Sequence, residues 1–331
     1  MKLAILGTGQ WGLTLAWLLS NNFRNISVWG RNPKTVDSLN RLRKFNLPVE
    51  FSFNQNISFT TDLNEAVCEA DFILMVISTS GIREVCQKLS TLNLKNNQIL
   101  INTSKGLELP SLKRMSEVIK EELPNINYAV LSGPTLAKEI LLGLPTAATV
   151  ASFDINIATI VQKYFNVNSK FRLYTNKNVI AVELGGSLKN VIAIASGFAY
   201  SMKLGENAKG ALLTRGMAEI IRIASVFNAD IPTLYGLSGM GDLIATCSSF
   251  DSRNFKVGLM LGQGLKIDQI QQNLGCTAEG IKTSKAVCKL AKSYNIETPI
   301  ANAIYEAIYT DISPEDVLFK LMNRKLKSEY S

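Results

Sequence analysis

The stretch that decides the fold is Lys2-Leu3-Ala4-Ile5-Leu6-Gly7-Thr8-Gly9-Gln10-Trp11-Gly12-Leu13-Thr14-Leu15-Ala16-Trp17-Leu18-Leu19. A short apolar run leads directly into Gly-x-Gly-x-x-Gly, and an apolar segment of helical character follows. Three glycines alone are weak evidence; between a strand and a helix they have a specific physical reading. Gly7 makes the tight turn, Gly9 lets backbone approach a pyrophosphate, and Gly12 lets the helix pack on the strand. The helix N-terminus then offers N–H donors and a positive dipole end to phosphate. Met1-Lys2 followed by apolar residues to Leu19 also has the outline of a signal peptide. Gly7-Thr8-Gly9-Gln10 interrupts it, and Ser20-Asn21-Asn22 reads as a helix end without a small-residue cleavage site.

Outward from that stretch, β-rich runs alternate with amphipathic ones. Lys2–Leu6, Ile26–Trp29, Phe72–Ile77, Gln98–Asn102 and Tyr128–Leu131 read as strands, with Ala147–Ala151 extending the sheet. Thr14–Leu19, Thr35–Lys44, Ile82–Leu89, Leu112–Glu122 and Ile157–Phe165 read as helices. Alternation of this kind predicts a mainly parallel sheet covered on both faces, a Rossmann-like α/β domain. After about Val179 the β-branched runs thin out and helical periodicity takes over in Leu184–Ala199, Ala208–Phe227, Phe255–Gly262, Ile281–Tyr294 and Ile300–Tyr309. The expected organisation is α/β plus all-α: residues 1–180 binding a dinucleotide, residues 181–331 forming a helical substrate and catalytic domain. Ala181 to Ala199 is apolar, but Glu183, Lys189 and Asn190 mark it as a buried helix rather than a membrane span. Arg215, Glu219 and Arg222, at i, i+4 and i+7, read as a solvated ion-pair ladder.

The 331 residues are 47% hydrophobic and 19% charged, enough apolar material for about two domains and too much for a disordered chain. Thirty-five Lys and Arg against 27 Asp and Glu leave a net charge of +8, which suits a phosphorylated partner without demanding one. Nucleic-acid binding would rest on charge alone, and the basic tail Arg324–Lys327 reads as a solvated end. There is no histidine. That excludes His-based metal sites and any histidine general base, so acid–base chemistry falls to Lys, Asp, Glu, Tyr or Cys. No metal is expected. Five cysteines without a CxxC pair read as reduced thiols of a cytoplasmic protein.

The second strand ends in Val28-Trp29-Gly30-Arg31-Asn32. An NAD site usually carries an acid there for the ribose 2′-hydroxyl; Arg31 suits a 2′-phosphate instead, so NADPH is the expected cofactor with NAD tolerated. Lys189 sits on an apolar helix whose nearest acid, Glu183, is at a non-facing spacing. A buried lysine without a local ion partner either meets a distant carboxylate or belongs to a site. Ser104-Lys105-Gly106-Leu107 and Ser132-Gly133-Pro134-Thr135 each follow a strand at its C-terminal end, where open α/β sheets bind ligands. Gly239-Met240-Gly241-Asp242 and Ser252-Arg253-Asn254 read as turns of the helical domain, with Arg253 able to grip a phosphate.

Taken in order along the chain, Gly7–Gly12, Ser104–Glu108, Leu131–Thr135, Leu144–Thr146, Val182–Val191, Leu213–Gly216, Gly239–Asp242, Ser252–Asn254 and Glu279-Gly280 resemble the bacterial-type NAD(P)-dependent glycerol-3-phosphate dehydrogenases over almost the whole length. The resemblance implies interconversion of dihydroxyacetone phosphate and sn-glycerol 3-phosphate for phospholipid synthesis by a homodimer. It implies that Lys189 is the proton donor and acceptor, and that Lys105, Gly133, Thr135, Lys189, Asp242, Ser252, Arg253 and Asn254 meet the substrate; a carboxylate such as Asp242 would suit holding a hydroxyl and orienting Lys189. It also implies Gln10, Trp11, Arg31, Lys105, Ala137, Arg253, Thr277 and Glu279 as cofactor contacts. Three segments depart from the family pattern: Ser78-Thr79 for a Pro-Ser pair, Asn46-Leu47-Pro48-Val49 with Glu50–Asn54, and Cys276-Thr277-Ala278. Rival readings are a hydroxyacid or 6-phosphogluconate type dehydrogenase, whose substrate would carry a carboxylate, and a non-catalytic NADPH-binding regulator.

Overall fold

The computed structural model describes all 331 residues except Leu47, Pro48, Ser169, Cys276, Thr277, Lys327, Tyr330 and Ser331. The chain divides into two compact units, Met1–Gly186 with Ala229–Asp242, and Ser187–Asn228 with Leu243–Ser331. The boundary drawn from sequence texture at 180/181 falls inside one long helix, Val179–Ser201.

Among its described residues the first unit holds ten strands: β1 (Lys2–Leu6), β2 (Asn25–Trp29), β3 (Lys44–Phe45), β4 (Phe51–Ser52), β5 (Ile57–Thr60), β6 (Phe72–Met75), β7 (Ile99–Asn102), β8 (Asn127–Ser132), β9 (Thr146–Ala151) and β10 (Phe171–Asn176). Eight of them form one sheet in the order β10-β9-β8-β7-β6-β1-β2-β5, and β3 pairs with β4 separately. Neighbours in the large sheet are parallel except β8 and β9, which run antiparallel. Along β1, Leu3 and Ile5 enter one apolar cluster while Ala4 and Leu6 enter another. Both faces are therefore buried, as the uninterrupted apolar runs require. One cluster gathers Leu13 and Leu15 of the Gln10–Leu18 helix with Val161 and Phe165; the other gathers Ile82, Val85 and Leu89 with Met115, Val118 and Ile119.

The order reverses between β6 and β1, and the Gly7 loop leaves β1 beside the end of β6, at the switch point where such sheets bind ligands. Several helices begin or end differently from expectation, and in two of them a left-handed residue sets the end. Lys44 belongs to β3, because Arg43 takes a left-handed conformation that ends the Pro33–Leu42 helix. Leu112, at φ +62°, cannot be helical, and the helix there starts at Met115.

The second unit is helical among its described residues. Its long helices Val179–Ser201 and Arg253–Gly262 approach through glycine: a Cβ on Gly197 would lie 2.0 Å from the Phe255 carbonyl oxygen, and one on Gly258 would lie 1.9 Å from that of Ile194. The Val179–Ser201 helix is long and apolar enough to cross a membrane, yet 94% of its apolar window is buried in the fold. Glu219 corrects the expected solvated ladder. It is 2% exposed, and its carboxylate accepts the backbone N–H groups of Ile300 and Ala301 at 2.7 and 3.1 Å. The acid thus satisfies free amides at the start of the Pro299–Tyr309 helix, a partner that i, i+4 spacing does not reveal. The expectation that Gly239–Asp242 lies in the helical domain is also corrected. That segment belongs to the first unit, where Leu237–Gly241 forms a π-turn and Asp242 opens the next helix.

Candidate active site

In the first unit the glycine loop has the geometry its spacing implies. Gly7 has φ +134°, and a Cβ there would lie 2.3 Å from the Val76 carbonyl oxygen. A Cβ on Gly12 would lie 2.2 Å from the Gly7 carbonyl oxygen, so helix and loop are in close contact. Gly9 is different: a Cβ there meets nothing within 4 Å. Its lack of a side chain answers to no packing need of the protein, which fits a position kept clear for a pyrophosphate. Gln10 and Trp11 form the first turn of the Gln10–Leu18 helix, whose opening amides carry no side-chain cap and no first-turn acid. Arg31 follows β2 on the surface, ahead of Asn32, which caps the Pro33–Leu42 helix. These residues fit the diphosphate and ribose of a dinucleotide, the Gln10–Leu18 helix by its N-terminus and Arg31 by its charge.

Four expected substrate residues meet at the C-terminal ends of β7 and β8. Lys105 donates through Nζ to the Gly133 carbonyl at 3.0 Å and to Asp242 Oδ2 at 2.7 Å. Thr135 Oγ1 donates to the same Gly133 carbonyl at 3.1 Å. Asp242 is buried while Lys105 keeps 21% side-chain exposure, so Asp242 neutralises a lysine at the rim. Gly186 is close by: a Cβ there would lie 2.5 Å from Ser132 Oγ and 3.6 Å from the Lys105 side chain. Ala137 opens the short Ala137–Leu141 helix just beyond Thr135.

Sequence reasoning missed a buried cluster in this unit. Glu183 receives Ser116 N–H, Ser116 Oγ–H, Tyr128 O–H and Arg114 Nη1 at 2.6 to 3.1 Å. Burial pushes the Glu183 carboxyl above the usual range against the pull of Arg114, and burial followed by the Glu183 charge pushes Tyr128 well up. These contacts pin the start of the helix that carries Lys189, although Arg114 Nε is buried without a hydrogen-bond partner among the described residues. They are up to 69 residues apart, which no local pattern reveals.

In the second unit Lys189 is 6% exposed and donates to the Thr246 hydroxyl at 2.6 Å. Its neighbour Asn190 accepts from Asn254 Nδ2 at 2.9 Å, and Asn254 Oδ1 accepts the Gly280 N–H at 3.0 Å. Ser252 caps the Arg253–Gly262 helix through the Phe255 N–H. Arg253 is exposed on the first turn of that helix, and Glu279 opens the Glu279–Ser293 helix beside Gly280. Asn190, next to Lys189 in sequence, is thereby linked through Asn254 to Gly280 by hydrogen bonds. Thr277, also expected at the cofactor, lies outside the described residues, as do Cys276 and the Leu47-Pro48 part of the departing loop. Thr79, where the family pattern differs, is buried in a short 3₁₀ turn, Thr79–Gly81, that leads into the Ile82–Ser90 helix.

Residues 2–158 match the model of the NAD-dependent glycerol-3-phosphate dehydrogenase N-terminus, and residues 178–319 match that of its C-terminus. The chain belongs to this family. It is 42% identical to a glycerol-3-phosphate dehydrogenase [NAD(P)+] of Lysinibacillus sphaericus, over 99% of this chain and 98% of that one. A protein of the same name from Enterococcus faecalis is 41% identical over 99% and 97%. Among solved structures, a glycerol-3-phosphate dehydrogenase from Coxiella burnetii superimposes with a TM-score of 0.93 at 34% identity, covering 98% of this chain and 99% of that one. Membership of the family bears out the resemblance read from the motifs, the α/β plus helical architecture, the assignment as an oxidoreductase and the NAD(P) dependence.

Proposed function

We propose that this chain interconverts dihydroxyacetone phosphate and sn-glycerol 3-phosphate, with NADPH preferred over NADH and Lys189 as general acid and base. The nicotinamide cofactor, when bound, supplies or accepts the hydride. What carries the reading is Lys189, a buried ammonium whose hydrogen-bond partner Thr246 is a hydroxyl able to pass a proton. In the reducing direction Lys189 gives its Nζ proton to the oxygen that was the carbonyl; in the oxidising direction it takes the hydroxyl proton. Such a group contributes on the order of 10²–10⁴ in rate. Arg253 and the first-turn amides of the helix that Ser252 caps offer charge and N–H donors to a phosphate. Lys105, held by Asp242 and the Gly133 carbonyl, is positioned to hold a substrate oxygen, with Thr135 beside it.

In this reading residues 1–180 hold most of the dinucleotide, and residues 181–331 carry most of the substrate and proton chemistry. Arg31 takes the 2′-phosphate; Gln10, Trp11, Ala137, Thr277 and Glu279 complete the cofactor set, to which Lys105 and Arg253 also contribute. The same reading places a homodimer in the cytoplasm, serving phospholipid synthesis. Cys68, Cys86, Cys247 and Cys288 are thiols rather than disulfides, which suits a reducing compartment. The test is NADPH oxidation followed by absorbance with dihydroxyacetone phosphate, and separately with a 2-keto carboxylate. Turnover with the phosphate alone supports the reading; turnover with the carboxylate, or binding of NADPH without any turnover, overturns it.

A further inference from the structure

The second unit contains a cavity of about 310 Å³ that no step of the proposed reaction uses. It lies between the C-terminal end of the Val179–Ser201 helix and the Gly205–Val226, Pro299–Tyr309 and Pro314–Met322 helices. Its wall is apolar, with Phe198, Leu204, Leu212, Ile304, Leu318 and Leu321 as its larger side chains. Cavities from roughly 300 Å³ upward are the usual size of small-molecule sites.

The charges around it are lopsided. Arg215, Arg222, Arg324 and Glu219 line the cavity, but both Glu219 oxygens are taken by the Ile300 and Ala301 amides. Arg215 gives one N–H to the Glu329 carbonyl, Arg222 its Nε–H to the Glu297 carbonyl, and Arg324 one contact of 3.3 Å to the exposed Glu297 carboxylate. A guanidinium has five N–H donors, so each fork retains donors beyond these contacts. The apolar wall is thus edged by three cations against two carboxylates, Glu219 and the Glu297 beside Arg324, one anion short of balance. An apolar surface of a second protein copy would cover these guanidinium groups without supplying one, at a desolvation cost.

We propose that this cavity binds a single-chain amphiphilic anion, its aliphatic tail against the wall and its carboxylate held by Arg222 with Arg215 and Arg324. The volume suits one unbranched chain, so the ligand is a free acid rather than a lipid within a bilayer. The inference stands on the second unit alone and is independent of the proposed reaction.

The probe is decanoate, titrated calorimetrically into the full chain, with 1-decanol and acetate as tail-only and charge-only controls. Decanoate should bind one per chain, with neither control approaching its affinity. Arg222→Gln should weaken binding by about tenfold, the loss of one charge-assisted hydrogen bond, and Ala208→Phe should abolish it by narrowing the cavity, each with an unchanged Tm. The proposal is overturned by any of four results: no saturable decanoate binding; equal affinity for 1-decanol; binding unaltered in a folded Arg222→Gln variant; or loss of the site on dimerisation, which would make a second copy the occupant. Arg222-dependent sedimentation with phosphatidylglycerol vesicles in place of decanoate binding would likewise overturn it in favour of a membrane surface.

Discussion

Around Gly7 the first unit presents its ligand with main chain: a left-handed glycine, a second glycine with open space at its Cβ position, and the uncapped amides of the Gln10–Leu18 helix. Around Lys189 the second unit presents side chains, each held by another side chain or a distant amide: Thr246, Asn190, Asn254 and, further along, Glu219. Backbone recognition is built from local spacing, so a short segment specifies it. Side-chain recognition is built from partners remote in sequence, so it depends on the whole fold.

The largest expected effect breaks the first half of that contrast. Gly7→Ala must relieve both a φ of +134° and a 2.3 Å approach to the Val76 carbonyl, and should cost about 2–4 kcal/mol in urea unfolding. Gly9→Ala meets nothing within 4 Å, so its Tm should stay put while NADPH affinity falls. A fall in Tm for Gly9→Ala of the same size as for Gly7→Ala would show that both glycines serve folding only.

Glu219 tests the second half through pH. Burial pushes its carboxyl up to about 7 against the Ile300 and Ala301 amides and the charges of Arg222 and Arg324. The unfolded chain releases that proton near 4.5, so between about pH 4.5 and 7 the folded state holds more protons and stability falls as pH rises. A shift from 4.5 to about 7 corresponds to at most about 3 kcal/mol. The chain has no histidine, and Glu183, also raised by burial, adds a slope of the same sign that Glu219→Gln leaves in place. Urea unfolding from pH 4.5 to 8 should show this slope, and Glu219→Gln should reduce it; an unchanged slope would reject the assignment. Asn254→Ala, which strands the Gly280 N–H and Asn190 Oδ1, should cost about 2 kcal/mol. A stability within error of the parent would mean that this hydrogen-bonded chain is not structural. Arg31→Ala is expected to have the smallest effect, weakening NADPH by about tenfold and leaving NADH unchanged. Equal losses for both cofactors would place Arg31 away from the 2′-phosphate.

What was legible from sequence follows the same division. β1, β2, β6, β7 and β8 were visible because buried parallel strands are short apolar runs with turn residues behind them. The edge strand β10, Phe-Arg-Leu-Tyr-Thr-Asn, was missed: its period-2 alternation includes Arg172 and an outward Tyr174, and it sits just before the helical half. β5, Ile-Ser-Phe-Thr, was missed because only its alternate residues Ile57 and Phe59 are apolar and buried, unlike the unbroken runs of β6 and β7. Lys105, Gly133 and Asp242 were each singled out, but not that Asp242 neutralises Lys105 from 137 residues away. Glu219 was misread because helical spacing shows which residues share a face and not what packs over it. Glu183 lay within a recognised motif, yet its partners Arg114, Ser116 and Tyr128 carry no local signal.

The central claim is that Lys189 moves the proton. Wild type and Lys189→Ala should be compared for NADPH oxidation by dihydroxyacetone phosphate and, in parallel, for NADPH binding by fluorescence. The account predicts a loss of about 10²–10⁴ in kcat with NADPH affinity retained; a folded Lys189→Ala enzyme turning over at the wild-type rate would contradict it.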